Sequence, residues 1–146
     1  MHRFIIIIGT LAAALGGVVF LAQTGDEDAS SEPPTFPDQG AAMVEVAVPD
    51  ELSARAQMGK TAFEAACAAC HGRNAAGNAN AGPPLIHKVY EPSHHGDMSF
   101  QLAVQNGVRA HHWKFGNMPA QDGLTKAEVT AIIAYVRELQ RENGIE

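Results

Sequence analysis

Cys67-Ala68-Ala69-Cys70-His71 constrains this chain of 146 residues more than any other feature, because it holds both of the cysteines. Two thiols spaced in this way lie one helical turn apart. From there both can add to vinyl groups on neighbouring pyrroles, with the adjoining histidine under the iron. A redox thiol pair, a disulfide and half a zinc site also use two such cysteines. Zinc needs further Cys or a spaced His set, and no third Cys exists here. A redox pair opens a helix after a strand, whereas this motif closes a helical pattern that no strand pattern precedes. Covalent attachment of one haem c is the chemistry that the motif supports.

Residues 4–22 form a run of 19 without a charge, preceded by Arg3 and followed by Asp26, Glu27 and Asp28. Signal-peptide apolar regions run about 7–15 residues, while about 17–25 can span the hydrocarbon layer as a helix, so the length favours an uncleaved anchor. Phe20 and Leu21 also crowd Ala22, which weakens a cleavage site. With Arg3 on the cytoplasmic side, the remainder is expected on the periplasmic side of a bacterial inner membrane. A cleaved leader and a soluble periplasmic product is the alternative.

The net charge of −6 is unevenly spread. Residues 23–50 carry seven acids and no Lys or Arg, and from residue 51 onward nine acids meet nine bases. The folded part therefore lacks the basic excess that nucleic-acid binding requires. Pro33, Pro34, Pro37 and Pro49 interrupt the acidic stretch, whose composition buries too little apolar surface to offset its ordering entropy. The expected organisation is a membrane segment over 1–24, an acidic Pro-rich linker over 25–49 and a folded domain over 50–146. Within 41–48 there is only a weak case for a strand or docking segment.

From residue 50 the periodicity is helical. Leu52, Ala56, Gly59 and Phe63 fall on one face of a helix expected over about 51–66. A second is expected from Asp97, as N-cap, to Gly107, with Phe100, Val104 and Leu102 inward. Thr125-Lys126-Ala127-Glu128 fits a capping box with Leu124 and Val129 placed for a hydrophobic staple, opening a helix to about Asn143. The Gly/Asn/Pro-rich stretches 72–84 and 107–123 are too irregular to pack alone, which points to a bound group at the centre.

Over roughly 51–142 the chain resembles the class I cytochromes c. Gly59 and Phe63 match the contact positions on that family's first helix, and Ile132-Ile133-Ala134-Tyr135-Val136 resembles their partner segment on the last. Gly82-Pro83-Pro84-Leu85 resembles the segment whose proline carbonyl accepts a hydrogen bond from the proximal histidine, which assigns Pro83 to His71. Gly116-Asn117-Met118-Pro119 looks like the loop carrying the distal methionine, with Trp113 placed as in short bacterial members where the indole reaches a haem propionate. The resemblance implies an all-α fold of three to four helices around one covalent haem. In it Cys67 and Cys70 are attached, and His71 and Met118 ligate the iron.

Met58 and Met98 lie at helical positions and are expected to pack. The doublets His94-His95 and His111-His112 depart from the family pattern. They are read as loop histidines bonded to propionates or solvent, with a second metal site, plausibly copper, as the other reading. Tyr90 is either a propionate contact or loop packing. No acid/base pair or nucleophile stands out, so the expected role is one-electron transfer, not catalysis. A quinol-oxidising complex as donor and a terminal oxidase or reductase as acceptor are what the resemblance implies. A haem-based sensor or small haem enzyme subunit, and a metal-delivery factor using the His doublets, are the competing functions.

Overall fold

A computed structural model describes residues 40–146, so the expected membrane segment and most of the expected linker lie outside the described residues. Among the described residues no helix is long and apolar enough to cross a membrane. The fold is all-α, with helices α1 (Ala54–Ala66), α2 (Ala68–His71), α3 (Asp97–Asn106) and α4 (Lys126–Glu142). The only extended pairing among the described residues is two isolated bridges, Asn78 with Gly82 and Val108 with Met118.

Helices α1 and α4 each start where a side chain replaces a missing backbone partner. The Ser53 hydroxyl accepts from the Ala56 amide, which fixes the first turn of α1 a little later than the apolar periodicity suggests. Ser53 also donates through its amide and hydroxyl to the Glu138 carboxylate, tying that start to α4. The capping box at Thr125 and Glu128 is formed as the sequence predicts. Asp97, expected as an N-cap, is instead the first residue of α3, and Gly96 is the cap. The reason is competition: the Asp97 carboxylate is taken by Arg137 at 2.9 Å and is not available to a backbone amide.

The core is the crossing of α1 and α4. Ala56, Gly59 and Phe63 form the buried face of α1. A Cβ on Gly59 would stand 1.9 Å from the Ala131 carbonyl oxygen, so only glycine permits this approach. Phe63 and Tyr135 pack at 5.6 Å between ring centroids, tilted by 59°. The Tyr135 hydroxyl donates to Asn74 Oδ1 at 3.1 Å. Burial, and then Glu64, push its phenol up to about 12, so it stays a donor.

Three further expectations need correction. Residues 40–49, read as the end of the linker, lie against the domain. Met43 and Val44 donate to the Ala76 carbonyl, and Ala47 exchanges two hydrogen bonds with the Asn143 side chain. Val44 and Val46 pack on the core. Met58 and Met98, expected to pack, are both 62% exposed. Leu102, expected inward, is exposed, whereas Phe100 does pack on the core and Val104 is half-buried.

Candidate functional site

The cysteine motif is a single helical turn. Cys67 ends α1 by donating to the Phe63 carbonyl, and its own carbonyl accepts from Cys70 and from His71 at 3.1 and 2.9 Å. Cys67 is half-buried, Cys70 is exposed, and both are free thiols. Burial, and then the neighbouring Cys70, push the Cys67 thiol up to about 11. Redox-active thiol pairs carry a depressed thiol instead, so this environment speaks against that alternative.

Gly72 ends the turn at φ 73°, where a Cβ would meet the Gly77 carbonyl oxygen at 2.1 Å. The chain then loops back under the motif, and Gly82 passes so close that a Cβ would lie 2.8 Å from the Cys70 carbonyl oxygen. That approach delivers the Pro83 carbonyl to His71 Nδ1 at 2.9 Å. A carbonyl oxygen only accepts, so Nδ1 carries the proton and Nε2 is left with a bare lone pair, the form that binds a metal. Burial holds His71 below the ordinary histidine value, partly offset by the bond to Pro83. The pairing of His71 with Pro83 that the resemblance implied is therefore present.

Asn78, which sequence reasoning missed, organises this loop. It is 2% exposed; its amide donates to the Ala69 carbonyl at 2.9 Å, and its Oδ1 accepts from Gly40 and Asn80. In a Gly/Asn-rich stretch it looked like any turn residue. Only its neighbours distinguish it.

Met118 is half-buried and pinned at both backbone atoms, donating to and accepting from Val108 at 3.0 and 2.9 Å. Gly107, at φ 72°, passes the Met118 carbonyl where a Cβ would stand at 2.6 Å. Gln121 donates to the Val104 carbonyl, so the methionine loop is fastened to the end of α3.

Trp113 supplies a test of whether these residues fit a haem. Its indole N–H is buried and has no hydrogen-bond partner. Leaving such a donor unsatisfied costs about 1–3 kcal/mol, so the position anticipates an acceptor such as a propionate. Burial raises the Tyr90 phenol, and the indole offsets part of that rise. His87 stands edge-on to the indole at 5.1 Å. With two free thiols, a histidine bare at Nε2 and an unanswered buried donor, the site fits a covalently held haem.

Beside it, the two histidine doublets come together, which spacing alone did not show. The rings of His94 and His112 lie 5.3 Å apart, those of His95 and His112 5.2 Å, and those of His111 and His112 4.2 Å. Desolvation, and then His111, His95 and His94, hold His112 below the ordinary histidine value.

A family model described as Cytochrome c matches residues 56–140. No curated protein matches the chain.

Proposed function

Because the chain belongs to the cytochrome c family, whose members carry covalently attached haem c and transfer electrons, we propose that Cys67 and Cys70 form the two thioethers and that His71 and Met118 ligate the iron. The observation that carries this reading is the His71 Nδ1 bond to the Pro83 carbonyl, made on the same helical turn as both cysteines. It fixes the tautomer, aims Nε2 and raises its basicity. When bound, haem c supplies a reversible one-electron couple. The thioether of Met118 is a soft, weakly basic donor that favours the ferrous state and raises the reduction potential relative to a second histidine. The buried Trp113 indole N–H would answer a propionate.

Replacing Met118 with Ala should open the iron to carbon monoxide and lower the potential. Replacing His111 and His112 together with Ala should leave the near-red methionine–iron band of the ferric protein in place. If the histidine variant loses that band while the Met118 variant keeps it, the axial assignment and the high-potential carrier both fail. A Cys67→Ala, Cys70→Ala double variant should release all its haem into acidic organic solvent; haem retained through extraction refutes the attachment.

The apolar length of residues 4–22 supports a periplasm-facing chain tethered to the membrane, and the family resemblance suggests quinol-oxidising and terminal complexes as the partners near which such a tether would confine it. Fractionation tests it: a mature chain beginning near residue 23 and found in the soluble fraction removes the tether.

A further inference from the structure

We propose that His94, His95 and His112 form a binding site for a divalent transition-metal ion of the Zn2+ or Cu2+ kind, separate from the haem iron. Each offers one ring nitrogen, and the three nitrogens lie within 4.8 Å of one another. His94 Nε2 and His112 Nε2 are 3.4 Å apart. Metal–imidazole bonds of about 2.0–2.1 Å in a tetrahedral arrangement place ligand nitrogens about 3.3–3.4 Å from each other, so this pair already stands at the edge length of such a site.

The third ligand is prepared by its backbone. His95 Nδ1 lies 2.6 Å from the Val89 carbonyl oxygen, which only accepts; the proton is therefore on Nδ1 and Nε2 is bare. The same arrangement orients His71, and it is how metal-binding histidines are commonly held. His111 repeats it, with Nδ1 2.8 Å from the Arg109 carbonyl. Its ring is next to that of His112 but outside the convergent trio.

Both contributing segments are fastened. The His95 carbonyl accepts from the buried Arg137 guanidinium, and His94 and His95 both donate through their amides to the Glu91 carbonyl. On the other side, the Ala110 amide donates to Asn117 Oδ1 at 3.0 Å, and Val108 is paired with Met118. Protonated, these rings would repel one another; a metal ion bound to their neutral nitrogens in place of the protons would hold the two loops together. A ligand set of imidazoles without thiolate or carboxylate suits Zn2+, Cu2+ or Ni2+, and not the oxygen-seeking Ca2+ or Mg2+.

The test uses the ferric, haem-loaded full chain, purified without a metal column and stripped with chelator. Calorimetric titration with Zn2+ should show one site per chain. His94→Ala and His112→Ala should each weaken it roughly tenfold or more, and the variant with all three changed should lose it. Bound Cu2+ should show hyperfine structure from imidazole nitrogens that disappears in the triple variant. Each variant should keep the haem spectrum of the parent, so a fault in the iron assignment and a fault in this proposal register separately. No saturable binding of Zn2+ or Cu2+, or undiminished binding in the triple variant, overturns the proposal. Should a variant fail to assemble, diethylpyrocarbonate labelling of the native protein decides. Zn2+ should protect residues 94, 95 and 112, and unchanged labelling overturns the site.

Discussion

Arg137 is 7% exposed on α4, and its guanidinium serves four groups from three parts of the chain. It donates to the Tyr90 carbonyl at 2.8 Å, the His95 carbonyl, Gln140 Oε1 at 2.6 Å and Asp97 Oδ1 at 2.9 Å, with Phe100 stacked 4.9 Å from its centre. Gln140, fully buried beside it, donates to the Leu85 and Tyr90 carbonyls. The Asp97 side chain is 69% exposed, so the ion pair itself contributes little. The buried carbonyls are what the arginine satisfies. Replacing Arg137 with Met should therefore cost about 3 kcal/mol in urea unfolding, because the His95 carbonyl and Gln140 Oε1 lose their donor and the Tyr90 carbonyl keeps only Gln140. Asp97→Asn should cost under about 1 kcal/mol. Equal effects would mean that the ion pair, and not the carbonyl network, matters.

At the scale of elements, the contact of α1 with α4 sets the frame on which the cysteine turn sits. Gly59→Ala would place a methyl against the Ala131 carbonyl oxygen and force the helices apart. The expected loss is about 3 kcal/mol, the upper range for overpacking, with a lower thermal midpoint as the readout. The start of α4 is locally encoded. Thr125→Ala removes the hydroxyl that accepts from Glu128 and should cost about 1 kcal/mol. Hydrogen bonds from the Thr125 hydroxyl and amide lower the Glu128 carboxyl below its ordinary value. The folded state thus binds this proton less readily than the unfolded one. Its contribution is complete above the unfolded carboxyl value, about 4.3, and fades as the pH falls through the lower folded value. Glu128→Gln should flatten that acid limb in a stability-against-pH profile while leaving unfolding at still lower pH unchanged.

For the molecule as a whole, residues 40–49 belong to the folded unit and not to a spacer. Asn143 brackets Ala47 with a donated and an accepted bond of 2.8 and 2.9 Å, and Gly40 donates to the buried Asn78 that anchors the loop under the cysteine turn. A chain beginning at Asp50 should therefore unfold at lower temperature than one beginning at Gly40. Asn143→Ala in the longer chain should reproduce part of that loss. If both chains melt together, the docked segment contributes nothing.

The amino-acid sequence alone determined whatever depends on near neighbours. The cysteine turn, the capping box at Thr125, the glycine stop after Asn106 and the apolar face of α1 rest on spacings of one to four residues, and the chain carries them wherever it goes. Tertiary structure decided the outcomes that depend on residues distant in sequence competing for one another. It took Asp97 from its helix cap for Arg137 and buried Arg137 and Gln140, two polar side chains on the apolar face of α4. It left Met58, Met98 and Leu102 exposed, and drew two histidine doublets from separate loops into one cluster. The physical reason is that a buried carbonyl or a bare imidazole nitrogen must find its partner in space, and no local spacing records which distant residue will supply it.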